Sequence, residues 1–293
     1  MAQFIFSAFA DEAGATLEEQ ITALQENGIK YIEPRNINKK SILDYSESEL
    51  AEIEKQLSAA GIKVNSLGSP IGKYNIRDDF EPHFEQFKKA LTACKILKTD
   101  KMRMFSFFVE QSEIDTYRDE VIKRMTAMTE EAKNHGIMLC HENESRIYGQ
   151  MPEQVDDLLN NVPELYGIFD PANYRMNDAD VIHGIEATLR NFAYMHIKDA
   201  IYSTQTILPA GEGEGKIAEI IDIINERHNG LVYLTLEPHL HLFDAYKDID
   251  DHDLKGKYQF KTNREAFDFA VKALEALMIK NGYRKDETAI WKK

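Results

Sequence analysis

The 293-residue sequence predicts an α/β fold, a single (β/α)8 TIM barrel domain over residues 1–293. Two patterns carry that prediction. A polar helical stretch ending in glycine runs straight into a short apolar segment four times: ENG-IKYIE at Gly28, AAG-IKVNS at Gly61, NHG-IMLCHE at Gly136 and HNG-LVYLTLE at Gly230. Glycine suits the position just past a helix C-terminus because it enters the left-handed region without a Cβ clash. The segments that follow are short, apolar and partly β-branched, as buried parallel strands are. Eight strand–helix units then favour a closed barrel over an open sheet, since no strand is left at an edge.

The first strand candidate is Phe4–Phe9. Thr16 with Glu19 three residues on forms a capping box, and Leu17, Ile21 and Leu24 recur behind it at helical spacing. Strands two and three follow Gly28 and Gly61, Lys101–Phe108 is the fourth, and the fifth follows Gly136. Tyr166–Asp170 and Tyr194–Ile197 are the sixth and seventh, and the eighth follows Gly230. Thr262–Lys280 is a strongly amphipathic closing helix. No Pro/Ser/Gly-rich linker divides the chain. Two segments exceed a minimal loop: Asp199–Gly215, ending in PAGEGEG, and Pro238–Lys261, rich in Asp, His and Lys. Loops of that length in a compact domain serve as lids or contact surfaces.

Thirty-five Lys and Arg against 50 Asp and Glu leave a formal net charge of −15. Such a field repels phosphate backbones and anionic surfaces, so neither nucleic acid nor a membrane is the expected partner. No apolar run approaches the roughly 20 residues a bilayer span needs, and the opening MAQFIFSAFADEA lacks the basic region of a signal peptide. The expected location is cytoplasmic. Cys94 and Cys140 lie in the apolar runs LTACKIL and GIMLCHE, which predicts buried, reduced core residues.

The active site of such a barrel gathers where its strands end, so the polar residue that ends each strand is the informative one. The first four strands offer Ser7 or Asp11, Glu33 and Arg35, Asn65 and Ser66, then Arg103 and Ser106. The last four offer His141, Glu142 and Glu144 (LCHENE), Asp170 and Asn173 (IFDPAN), His196 and Lys198 (YMHIKDA), and Glu237 and His239 (LTLEPHL). Taken singly, Asp170 before a proline reads equally well as a helix cap, and a lone histidine after an apolar run as a core residue. Four such residues on four successive strands fit one divalent ion better. Glu142, Asp170, His196 and Glu237 form a hard-to-borderline donor set that favours Mn2+ or Mg2+, with Zn2+, Fe2+ or Co2+ as alternatives. PAGEGEG lacks the lysine of a phosphate loop and has no strand directly before it, so it is a tight turn into a helix beginning near Lys216.

The order Glu, Asp, His, Glu on strands five to eight resembles the xylose isomerase-like TIM barrels, the sugar phosphate isomerase/epimerase group. Its most specific pieces are LCHENE, IFDPANY, YMHIKDA followed by PAGEGEG, and LTLEPH, and the resemblance runs from Phe4 to about Ile279. It implies that Glu142 and Glu237 are an acid/base pair as well as metal ligands, moving a proton through a metal-stabilised enediolate of a small sugar or keto-polyol. Elimination from that enediolate would make the enzyme a dehydratase or lyase acting on a keto-sugar or keto-inositol. Lys198, Arg35, Arg103, His239 and Asn173 are the candidate substrate-binding residues; Lys198 could equally be tied to Asp199 or Glu142. Three positions depart from the epimerases: Asn173 replaces a histidine, Tyr202 an arginine and Tyr148 a glutamate. The resemblance therefore supports the metal chemistry better than the substrate. It also implies a homodimer or homotetramer, with Pro238–Lys261 as the contact. A non-catalytic sugar-binding barrel and an endonuclease IV-like nuclease are the remaining readings, the latter opposed by the charge and by the few histidines near strand ends.

Overall fold

The computed structural model describes residues 1–241 and 258–293, so most of the predicted contact loop, residues 242–257, lies outside the described residues. Eight parallel strands form the barrel: β1 (Ala2–Ala8), β2 (Tyr31–Ile32), β3 (Lys63–Val64), β4 (Lys101–Met104), β5 (Met138–Glu142), β6 (Leu165–Phe169), β7 (Phe192–Ile197) and β8 (Gly230–Leu236). Strand β1 pairs with β8 and β2, β2 with β3, and the ladder runs on from β8 through β7, β6 and β5 to β4. Leu67, just past β3, bridges Met102 in parallel and closes the ring.

Helices wrap the outside: α1 (Leu17–Glu26), α2 (Glu47–Ala59), α3 (Phe80–Ile96), α4 (Ile114–Asn134), α5 (Pro152–Asn161), α6 (Pro171–Met176), α7 (Val181–Thr188), α8 (Ile217–Arg227) and α9 (Asn263–Lys280). The Thr16–Glu19 capping box forms in both directions, and Thr262 caps α9 by accepting from the Glu265 amide. Gly28, Gly61 and Gly136 stand just past α1, α2 and α4 with φ between 65° and 75°, as the junction pattern requires. The fourth junction differs. Helix α8 ends at Arg227, His228 is already extended, and Gly230 opens β8 itself.

Strands two, three and four are shorter than the sequence pattern suggests. Past Ile32, Pro34 has no N–H to give to a ladder. Past Met104, the amides of Phe105 and Phe107 bond to the carbonyls of Ile71 and Gly72 in a connecting loop rather than to a neighbouring strand. The chain end adds an element absent from the sequence reading. Ile290–Lys292 lies antiparallel to β1, pairing Trp291 with Phe4, and the buried Trp291 ring stacks on Phe6 at 5.4 Å.

Strand periodicity decides which residues meet inside the ring. Met138, Cys140 and Glu142 share one face of β5; Tyr166 and Ile168 lead to Asp170; Tyr194 leads to His196; Tyr233 and Thr235 lead to Glu237. Cys140, Ile168 and Tyr194 pack together with Met138, Tyr166 and Tyr233 as a cluster apart from the main core. The alternate residues, including Leu139, Phe169, Met195, Leu234 and Leu236, join the larger core under the helices. The four proposed ligands are thus the top layer of one interior stack. Cys94 and Cys140 are both buried and unbonded to each other, as expected. No helix among the described residues is long and apolar enough to cross a membrane.

Candidate metal centre

Glu142 ends β5, Asp170 follows β6 as the N-cap of α6, His196 is the penultimate residue of β7, and Glu237 follows β8. Each offers one ligand atom, and these atoms lie within 4.8 Å of one another, all four residues being buried. Two ligands on opposite sides of an ion at bonds of about 2.1 Å stand ~4.2 Å apart, so the set need close by only about half an ångström. The four residues that the sequence analysis singled out thus come together, although they are separated by up to 95 positions (237 − 142).

The charges around the centre are directional. His196 Nδ1 lies 3.0 Å from Glu142 Oε1 and 3.4 Å from Glu237 Oε2. The other oxygen of each glutamate is held by an arginine: Arg103 Nη1 donates to Glu142 Oε2 at 3.1 Å, and Arg35 Nη1 to Glu237 Oε1 at 2.9 Å. Asp170 Oδ1 accepts the Asn173 amide at 2.9 Å, and the Asp170 backbone is clasped by the Asn143 side chain. Asp170 Oδ2 and Glu237 Oε2 are buried and accept no hydrogen bond among the described residues, although Lys198 Nζ comes within 3.1 and 3.9 Å of them. Buried carboxylate oxygens left in that condition suit a cation between them.

Titration behaviour agrees. Burial pushes the Glu142 carboxyl up, but His196 and Arg103 outweigh it and hold it down at about 2. Burial likewise opposes ionisation of Glu237, yet Lys198 and His239 hold it well below the usual range. Burial drives Asp170 up to about 6 against the pull of Lys198. Burial alone would depress His196, but the charges of Glu142 and Glu33 raise it to about 10. A centre that raises an imidazole so far attracts positive charge. The donor chemistry and the two orphaned oxygens therefore fit a divalent ion.

The other predicted residues divide. Arg35 also donates to both oxygens of Asp11 and reaches Glu12, while His239 Nε2 lies 3.1 Å from Glu12 and 3.2 Å from Glu237. Both guanidinium groups, Arg35 and Arg103, lie over the Phe9 ring at 4.6 and 4.8 Å. Asn173 spends its amide hydrogens inside the site, on the Asn143 carbonyl at 2.9 Å and Glu142 Oε1 at 3.4 Å. Lys198 faces Asp170 at 3.1 Å, with Glu237 at 3.9 Å, and is turned away from Asp199 because successive strand residues point to opposite sides. His141 is turned away from the ligands onto Ser106 Oγ at 2.8 Å, for the same reason. Glu144 pairs with Lys73 outside the cluster, Tyr148 bonds Asp157, and Tyr202 is half exposed beside Arg175.

The structure adds two features that the sequence reading missed. Glu12 joins Asp11, Arg35 and His239 in a charged network on the β1–β8 side. The PAGEGEG turn proves to be a cradle for Asp199. The amides of Gly211 and Gly213 donate to Asp199 Oδ2 at 2.9 and 3.0 Å, and those of Gly215 and Ala200 to Oδ1 at 2.8 and 2.9 Å. The alternating glycines were the available signal, since alternate amides can point one way and a Cβ on Gly213 would stand 2.3 Å from Asp199 Oδ1.

Residues 21–253 match the family described as the xylose isomerase-like TIM barrel. The chain belongs to that family. No curated protein matches it. Among solved structures, the IolI protein with a bound zinc atom is similar over 95% of this chain and 99% of its own, at 18% identity and a TM-score of 0.74. A probable 3-DHS dehydratase, AsbF of Bacillus anthracis, matches over 94% and 99% at 15% identity and TM-score 0.69. A D-psicose 3-epimerase matches over 95% and 99% at 16% identity and TM-score 0.68. At these identities the likeness establishes the shared barrel.

Proposed function

We propose that the protein is a divalent-metal-dependent isomerase or epimerase of a small sugar or keto-polyol, acting in the cytoplasm. The reading rests on one observation: two buried glutamates enter one centre from β5 and β8, each with one oxygen toward His196 and the other on an arginine. Glu142, Asp170, His196 and Glu237 would hold the ion. When bound, it supplies Lewis-acid polarisation of a substrate carbonyl, which makes the neighbouring C–H acidic.

The chain's own residues do the rest. The oxygen of each glutamate that faces an arginine, Oε2 of Glu142 and Oε1 of Glu237, is the one left to carry a proton. One takes the proton from the carbon beside the carbonyl, and the C–H electron pair moves to the carbonyl oxygen as an enediolate. The opposite glutamate, ionised at rest, takes up a proton from solvent and delivers it to the other face of the same carbon to give the epimer, while the first glutamate releases its proton to solvent. Redelivery by the first glutamate to the adjacent carbon, with the hydroxyl proton passing between the two substrate oxygens, gives the aldose–ketose isomer. His196 with Arg103 keeps Glu142 ionised before substrate arrives, and Lys198 with His239 does the same for Glu237. Arg103, Arg35, Lys198 and His239 are the donors that would meet the substrate's oxygens. Asn173 braces Glu142 from behind.

A metal-dependent dehydratase is the second reading, favoured by Tyr148. Where the epimerases carry a glutamate, this side chain turns away from the centre to bond Asp157 at 2.6 Å. Both readings share the first proton transfer. Metal-loaded protein incubated with a panel of ketoses and keto-polyols in D2O should place deuterium on one carbon of its substrate. An ultraviolet-absorbing unsaturated ketone in the same tubes selects elimination. Neither signal with any ketose, under stoichiometric metal, would reject both.

A further inference from the structure

Below the ligand layer the barrel interior is polar, and one acidic group there serves none of the steps above. Glu33 is the residue after β2 and is fully buried. Its amide donates to the Ala8 carbonyl at 3.0 Å, which fixes the backbone at the head of the strand. Glu33 Oε1 accepts the Tyr194 hydroxyl at 2.9 Å, and that hydroxyl lies 3.0 Å from Ser66 Oγ. Glu33 Oε2 lies 3.4 Å from His196 Nε2, the ring nitrogen opposite the one that faces Glu142 and Glu237. The imidazole plane is set by edge contacts with Phe9 at 5.1 Å and Tyr194 at 5.6 Å. Those rings fix the plane but not the tautomer, because an imidazole can carry its hydrogen on either nitrogen.

We propose that Glu33 is a positioning residue: its carboxylate takes the Nε2 hydrogen of His196 and so commits Nδ1, with its lone pair, to the metal centre. Burying a carboxylate costs several kcal/mol unless donors compensate it, and its donors here are one phenol and this imidazole. A neutral side chain of similar size would fill the same space at less cost. A carboxylate behind a ligating histidine raises the basicity of the ring and selects the coordinating nitrogen, with losses of about 10–100-fold in metal affinity when it is removed. Tyr194 stands two residues before His196 on the same interior face, so one strand supplies both the ligand and the clamp on its partner.

The inference rests on the cation reading, and one set of measurements separates the two. In Zn2+-loaded wild-type protein labelled with 15N-histidine, His196 should show a protonated Nε2 and a metal-shifted Nδ1. By chelator competition, Glu33→Ala should bind Zn2+ about 10–100-fold more weakly. Glu33→Gln, which keeps an acceptor oxygen, should recover part of that loss and covers the case in which the alanine variant does not fold. A ligand bond through Nε2, or folded Glu33→Ala and Glu33→Gln proteins with wild-type affinity, would overturn the role of Glu33 while leaving the metal site standing. A wild-type protein that takes up no ion would remove the cation reading and this inference with it.

Discussion

The Asp199 cradle makes the sharpest quantitative prediction, because it needs no ligand. Asp199 is fully buried, and its two oxygens accept four backbone amides, from Ala200, Gly211, Gly213 and Gly215. Burial pushes its carboxyl above the ordinary range and the amides pull it back. With donors on every side, the group is useful only as an acceptor. Asp199→Ala would return the Gly211 and Gly213 amides to partial solvent contact but leave those of Ala200 and Gly215 buried. Each orphaned donor costs about 1–3 kcal/mol, hence roughly 2–6 kcal/mol for the pair. At about 2–4 °C per kcal/mol for a chain of this size, Tm should fall by roughly 5–20 °C. Gly213→Ala attacks the same cradle without changing charge, since its Cβ would stand 2.3 Å from Asp199 Oδ1 and 2.7 Å from the Ala200 amide. Scanning calorimetry of both variants and of the double variant is the assay. The double variant should lose less than the sum of the singles, because the second change strikes a cradle already broken. Strict additivity, or Tm values within about 1 °C of wild type, would refute the reasoning.

Three further outcomes are expected. Asp170→Asn removes an anionic donor with an orphaned oxygen, and metal affinity by isothermal calorimetry should fall on the order of 100-fold; an unchanged affinity would place the ion elsewhere. Metal binding should release ~1 proton between about pH 7 and 9, because His196 stands near 10 before the ion arrives, so affinity rises roughly tenfold per pH unit. Below about pH 6 a second proton, from Asp170, steepens the slope; calorimetry in buffers of different ionisation heat counts these protons, and none released at pH 8 would contradict the electrostatics. Trp291→Ala should cost about 3–5 kcal/mol by emptying the space against Phe6, measured by urea denaturation; a loss under about 1 kcal/mol would show that the terminal strand adds little.

Much of the centre was legible because a parallel barrel converts strand ends into neighbours. Glu142, Asp170, His196 and Glu237 each follow an apolar run, and alternation alone puts them on one interior face. The same alternation, applied to YMHIKDA, separates Lys198 from Asp199 and would have turned His141 away from its neighbour Glu142. Other features have no local signature. Glu33 sits beside His196 only because β2 and β7 face each other across the ring, a distance of 163 residues in sequence. The terminal strand is three residues long, too short for a periodic pattern, and is fixed by one tryptophan seated on β1. Ladder length in β4 depends on where a connecting loop takes the hydrogen bonds of Phe105 and Phe107, which no propensity reports.

The pairing around the ring is uneven, and this has a mechanical consequence. From β4 round to β1 each neighbour is held by three to seven register pairs, whereas β1–β2, β2–β3 and the closing bridge have one or two. The molecule is a stiff trough with a pliant flap. All four candidate ligands belong to the trough, so their spacing survives breathing of the wall opposite. Arg35 and the carboxylate behind His196 ride on the flap, and amide exchange should begin there. Yielding of that wall would loosen Arg35 from Glu237 and Glu33 from His196 together, while the four candidate ligands stayed in register.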